Sequence, residues 1–138
     1  MIIDSSALIA ILFDERGWQE LRRAIDTTTT ASIPAPALTE TQLVVAGRGR
    51  DHSEGLKELL ATLFSKGVGV ASFEQKHADL TSIAREHYGK GNGKGGLLNF
   101  GDLMVYAVAK DRGEPLLFTG HDFATTDLLI HPASRVDE

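Results

Sequence analysis

Four acidic residues stand out by what surrounds them. Asp4 follows the short apolar run Met1-Ile2-Ile3 and precedes Ser5-Ser6 and the apolar stretch Ala7 to Phe13. Glu40 follows Ala31-Ser32-Ile33 and the Pro34-Ala35-Pro36 break, Asp102 follows Asn99-Phe100-Gly101, and Asp122 follows Leu116 to Thr119 with Gly120-His121 between. Each sits where a strand-like run ends or a helix-like run begins. In an open parallel sheet those points share one edge, the edge at which such folds bind ligands. Carboxylates gathered there repel one another, and burial raises the cost of their charge, so protons or cations must neutralise them. Apart from His121, no basic residue adjoins any of the four in sequence. An all-oxygen ligand set suits Mg²⁺ or Mn²⁺ much better than Zn²⁺. A bound Mg²⁺ lowers the pKa of a water and offsets charge on a phosphodiester in the transition state. No nucleophilic side chain is needed, in keeping with a chain that has no Cys and no Ser-His-Asp signature. Each acid alone has a plainer explanation: Asp4 caps a helix, and Glu40 and Asp102 favour helix starts through the dipole. Only the recurrence of one design argues for chemistry.

The elements that must position these acids are legible in outline. Met1 to Ile3 reads as a first strand, with Ser5 or Ser6 capping a helix over Ser6 to Phe13. Trp18 to Asp26 reads as a second helix, Ala31 to Ile33 as a second strand, and Pro36 suits the first turn of the helix that carries Glu40. Ser53 is a candidate cap for a helix whose apolar residues, Leu56, Leu59, Leu60, Leu63 and Phe64, fall at helical spacing. Val68 to Ala71 forms a third strand, and Ser72 with Gln75 fits a capping box before the next helix. Gly89 to Gly96 holds five glycines and reads as a flexible loop. A helix opens at Gly101-Asp102, and Leu116 to Thr119 forms a fourth strand, with Leu128 to His131 as a short last one. Strands alternating with helices imply an α/β fold, a mainly parallel sheet covered on both faces.

The chain has 138 residues, 42% of them hydrophobic, which suits one globular domain over residues 1–138 with a real core. Without cysteine a reducing compartment is compatible, and no apolar run is long enough to span a membrane, so a soluble cytoplasmic protein is expected. The net charge of −5 argues mildly against a nucleic-acid partner, but four carboxylates neutralised by metal leave a chain close to neutral.

In their order, Ile3-Asp4-Ser5-Ser6-Ala7-Leu8, the helical Glu40, Asn99-Phe100-Gly101-Asp102 and Leu117-Phe118-Thr119-Gly120-His121-Asp122-Phe123 resemble a PIN domain. More narrowly they resemble the VapC toxins of bacterial toxin–antitoxin pairs, over nearly the whole chain. The resemblance implies an α/β/α sandwich, a Mg²⁺-dependent endoribonuclease, RNA as substrate, a homodimer, and inhibition by a VapB-type antitoxin. By motif position Asp4 and Asp102 match the metal-site acids and Glu40 the acid of the third helix. Ser6 matches the small hydroxyl residue that supports the site, and Thr119 the residue that ends the strand. The family usually has Asp two residues after that Thr. Here His121 stands there and Asp122 follows, so Asp122 is the favoured fourth acid and Asp127 the alternative.

Arg48, Arg50, Lys90, Lys94 and His121 are candidate substrate contacts, each with the plainer reading of a solvated charge. His52, His77, His87 and His131 show no ligand spacing and are expected at the surface. Trp18 and Phe13 suit either the core or a dimer or antitoxin groove. Two competing functions are a PIN-like protein-binding module without catalysis and a phosphoacceptor receiver-like domain. The second would want an Asp near mid-chain and a Lys after a later strand, and neither is apparent.

Overall fold

In a computed structural model, residues 1–136 are described. The elements are β1 (Ile2–Ile3), α1 (Ser5–Leu12), α2 (Trp18–Thr27), β2 (Ser32–Pro34), α3 (Ala35–Ala46), α4 (Arg50–Ser65), β3 (Gly69–Ala71), α5 (Gln75–Tyr88), α6 (Phe100–Arg112) and β4 (Leu116–Leu117). The four strands form one parallel sheet in the order β3-β2-β1-β4. Helices flank it, giving the expected PIN-like α/β/α architecture.

β1 is central, and both its residues are fully buried, which is why its two positions are isoleucine. Its register is set on one side by Ile2 beside Ser32 and on the other by Ile3 beside Leu117. The chain's first excursion from β1 goes to β2 and β3 on one side, while β4 returns to the other. The crevice between β1 and β4 is therefore a topological switch point, where a parallel sheet leaves room for a ligand. Asp4 lies at its mouth, its N–H donating to Leu117 O at 3.0 Å. The core against the sheet is largely apolar, with Leu8, Leu21, Ile33, Leu63, Leu98, Phe118 and Phe123 essentially inaccessible.

Several local expectations are corrected. Asp4, not Ser5 or Ser6, is the N-cap of α1, its side chain accepting from Ser6 N–H. α4 begins at Arg50 behind Gly49, so Ser53 lies inside it and caps nothing. α5 is capped by Glu74, with His77 completing the capping box in place of Ser72 and Gln75. His77 is consequently buried, its Nδ1 accepting from Glu74 N–H and its Nε2 lying 3.0 Å from Asp111. Glu40 stands in the second turn of α3, because the helix already starts at Ala35. The last strand reduces to one parallel bridge between Leu116 and Ile130. The glycine loop is braced by Asn92, whose side chain accepts from Lys94 N–H and Gly96 N–H and donates to Glu86 O.

Candidate active site

Asp4 is almost completely buried at the end of β1. Its Oδ2 accepts from Ser6 N–H at 3.1 Å and from Ser6 Oγ–H at 2.6 Å. Ser6 Oγ in turn accepts from Thr119 N–H at 3.0 Å, so one hydroxyl ties the acid to the residue just beyond β4. Ser6 and Thr119 are thus joined to Asp4 by one chain of hydrogen bonds. Burial, outweighing these hydrogen bonds and aided by the nearby Glu40 charge, pushes the Asp4 carboxyl up to about 6.

Asp102 is held by the start of α6. It is the third helical residue behind the N-cap Asn99, and the two exchange bonds: Asp102 N–H to Asn99 Oδ1 at 2.9 Å, and Asn99 N–H to Asp102 Oδ2 at 3.1 Å. This capping box fixes the carboxylate's direction while satisfying two helix N–H groups. Asp102 is also buried. Burial first, then the charge of Asp4, then a hydrogen bond to Asp122 available only to protonated Asp102, push it up to about 8, against the lowering effect of Asn99 N–H.

Glu40 reaches the same place from α3, where its Oε1 accepts from the Ser5 hydroxyl. Its other oxygen lies over Gly101, where an added Cβ would stand 2.5 Å from Oε2. Glycine at that position is what lets a carboxylate of α3 approach the first turn of α6. Asp122 is exposed in the turn after β4 and adjoins Asp102. The fold therefore links Asp4 to Glu40, Asp4 to Asp102, and Asp102 to Asp122. Asp127 is outside this chain of neighbours: Tyr106 Oη donates to it at 2.6 Å and Lys110 Nζ lies at 2.8 Å.

The donor set fits a hard divalent cation. All donors are carboxylate oxygens, and the two buried ones have no cationic partner among the described residues. No three acidic or imidazole groups close into a ready-made cage among the described residues. Mg²⁺ does not require one, since it keeps several waters and takes one or two carboxylates.

The candidate substrate contacts separate into two groups. His121 is exposed beside Asp122, and Lys90 N–H bonds Leu98 O at 2.8 Å, which brings that end of the glycine loop to the threshold of α6. Lys94 is exposed further out on the loop. Arg48 lies past the far end of α3, which runs on for six residues, about 9 Å, beyond Glu40, and Arg50 opens α4. The Arg48 guanidinium sits 4.4 Å from the Phe13 ring centroid, and His52 packs edge-on to the same ring. Phe13 is half-buried, packing against the core on one side and meeting Arg48 and His52 on the other, and Trp18 is half-buried at the start of α2.

Sequence reading missed three residues that aim the acids: Ser5, Asn99 and Gly101. The Asn at a helix start three residues before an Asp was a readable signal for Asn99. Nothing local signalled the other two, because both act on a residue of α3.

The PIN domain family matches residues 1–129. Ribonuclease VapC42 of Mycobacterium tuberculosis (strain ATCC 25618 / H37Rv) is 37% identical over 133 residues, covering 96% of this chain and 98% of that protein. Ribonuclease VapC of Mycolicibacterium smegmatis is 37% identical over 128 residues, covering 93% of this chain and 97% of that protein. Among solved structures, Mycobacterium tuberculosis VapC20, a Sarcin-Ricin loop cleaving toxin, superposes with a TM-score of 0.69 at 19% identity, covering 93% of this chain and 95% of that one. At that identity the likeness speaks for the fold.

Proposed function

This chain belongs to the PIN domain family, and from that premise we propose that it is a Mg²⁺-dependent endoribonuclease, the toxin of a type II toxin–antitoxin pair. The observation that carries this reading is the pair Asp4 and Asp102, buried at the switch point of the sheet and without a cation to neutralise them among the described residues. Asp4 and Asp102 would hold the metal, with Glu40 and Asp122 beside them. Mg²⁺, or Mn²⁺ in its place, would make a bound water a nucleophile at neutral pH and offset charge on the phosphodiester.

The chain's own residues do the positioning. Ser6 holds Asp4 through Oδ2, donating to it from both its N–H and its hydroxyl. Asn99 holds Asp102 through its N–H, and Ser5 holds Glu40 through its hydroxyl. Held this way, the acids need little reorganisation when a substrate phosphate arrives. A binding module without catalysis would leave one acid pointing away from the others; the nearness of Asp4 to Glu40 and to Asp102, and of Asp102 to Asp122, supports the nuclease reading over it.

The VapB-type antitoxin of such a pair would block this site with a basic side chain, most fittingly an Arg forked onto the carboxylates in place of the metal's charge. A homodimer and a cytoplasmic location belong to the same reading. No helix among the described residues is long and apolar enough to cross a membrane.

Thermal melting with and without Mg²⁺, beside cleavage of single-stranded RNA, tests the proposal. Mg²⁺ at a hundred times its Kd should stabilise the fold by about 2.7 kcal/mol. RNA cleavage should appear with Mg²⁺ and vanish with EDTA. A melting curve indifferent to Mg²⁺ and Mn²⁺, with no RNA cut, would overturn the reading.

A further inference from the structure

A second cluster of charge lies close to the acids and has no part in holding them. Arg16, from the turn after α1, and Arg135, from the segment near the C-terminus, line one cavity of about 190 Å³ together with Ala10, Glu15 and Thr119. Arg135 is fixed there by its backbone, which extends the sheet: its N–H donates to Phe118 O at 2.9 Å, and its carbonyl accepts from Gly120 N–H at 2.8 Å. Its side chain is seated across Gly17. A Cβ at Gly17 would crowd Arg135 Cδ and its guanidinium, which would have to move aside, and Gly17 has φ +84°, a conformation that favours glycine. Neither arginine is ion-paired among the described residues, although Glu15 lines the same cavity.

The cavity is tied to the acids through Thr119. The Thr119 N–H donates to Ser6, and Ser6 donates to Asp4. Ala10 is one helical turn beyond Ser6 on α1, about 6 Å along the axis. The cavity is thus within reach of a phosphate neighbouring one held at Asp4. It has room for a phosphate, and a guanidinium fork matches phosphate oxygens. A chain of net charge −5 with an acidic cleavage edge repels a polyanion as a whole. Local cations beside the acids are what such a protein needs to draw a strand in.

We propose that Arg16, Arg135 and the exposed side of Thr119 form a backbone-phosphate subsite for single-stranded RNA, next to the cleavage position. It rests on the ribonuclease reading. Glu15 opposes the charge of the two arginines and limits how tightly the strand is held, which allows product to leave.

The test measures binding of a fluorescein-labelled, mixed-sequence single-stranded RNA 12-mer to D4N protein as a function of salt. Asn keeps the helix cap that Asp4 provides, so D4N is expected to fold, and the probe is checked to be uncut after each titration. Arg16→Gln and Arg135→Gln should each weaken binding roughly tenfold at low salt and lower the slope of log K against log salt by about 0.7, the share of one phosphate contact on a single strand. Glu15→Gln should tighten binding. Lys66→Gln, which removes a cation paired with Asp26 elsewhere, should leave affinity and slope unchanged. Arg16 is exposed, so its variant folds, and Arg135→Lys, which keeps the charge without the fork, should recover the slope but not the full affinity. If the parent cuts RNA but both glutamine variants of D4N bind with unchanged slope, the subsite is wrong and the ribonuclease reading stands. If inorganic phosphate raises the parent's melting temperature but not that of the arginine variants, while RNA binding is unaffected, the cavity serves free phosphate and the RNA assignment fails. A parent that neither cuts nor binds RNA overturns both.

Discussion

The molecule uses aspartate in two opposite ways. On the face built by α5 and α6, Asp127 is held below the usual carboxylate range by Lys110 and by the Tyr106 hydroxyl, and Asp111 likewise by His77 and Lys76. Asp26 is lowered by Lys66 and Arg22. At the β1–β4 edge, Asp4 and Asp102 are raised, burial being the largest cause for both and neighbouring acids adding to it. The difference is the partner. The outer acids lie beside cations supplied by the chain itself and are at rest when ionised. The inner ones have hydroxyl and amide donors only, enough to aim them and too little to neutralise them. A fold that buries acids without a counter-charge leaves that charge to be supplied from outside, and this separates the two regions more sharply than sequence position does.

The contrast breaks most visibly at Asp4. Asp4→Asn should lower RNA cleavage roughly a thousandfold or more by removing an anionic metal ligand and the charge stabilisation it organises. Asn remains a good N-cap, so metal-free melting should be no lower than the parent's, and the stabilisation by Mg²⁺ should shrink. Parental cleavage by this variant would put Asp4 back among structural caps.

pH sharpens the comparison. The folded-state pKa of Asp4 lies above its unfolded value, so the folded state binds more protons between them, and metal-free stability must fall as pH rises through that window. From pH 4 to about 6 the loss assigned to Asp4 is on the order of 3 kcal/mol, and Asp102 extends the decline toward pH 8. The outer acids have lowered values, so their contribution is lost instead as pH falls through the acid range. Urea titrations in EDTA at stepped pH would show the first trend, and saturating Mg²⁺ should flatten it. A metal-free protein that gains stability from pH 4 to 8 would contradict the assignment of uncompensated acids.

A smaller effect is expected at Gly101. Gly101→Ala places a methyl against Glu40 Oε2 and should cut kcat by about tenfold. The fold should hold, since alanine favours the helix over glycine by about 1 kcal/mol, which offsets the crowding. Unchanged kcat would mean that Glu40 need not lie over α6.

The smallest change is expected at Asp127. Asp127→Asn loses a largely exposed ion pair and part of a hydrogen bond to Tyr106, costing about 0.5–1 kcal/mol in urea melts, with RNA cleavage unaltered. Loss of cleavage here would make Asp127, and not Asp122, the fourth acid.

What the sequence determined by itself was periodic or adjacent. The short strand at Met1 to Ile3, the apolar α1 and the helix carrying Asp102 announce themselves through runs of apolar residues, and an acid where a strand run ends or a helix run begins marks the shared edge of the sheet. Alternation of strand and helix then leaves little besides a parallel sheet. The tertiary structure decided what depends on partners distant in the chain. Asp122 and Asp127 are indistinguishable as residue types five positions apart. Only the packing of α6 beneath the last turn gives Asp127 to Tyr106 and Lys110, which are 21 and 17 residues away, and leaves Asp122 beside Asp102. His77 looked like any surface histidine until α6 brought Asp111 to its Nε2, while its Nδ1 took the place in the capping box that Gln75 had been expected to fill, Glu74 standing in for Ser72. Ser5 and Gly101 gain their meaning from Glu40, and Gly17 from Arg135, because a carboxylate or guanidinium is aimed by whatever occupies the space around it. That space is made by elements meeting in three dimensions, and no window along the chain contains it.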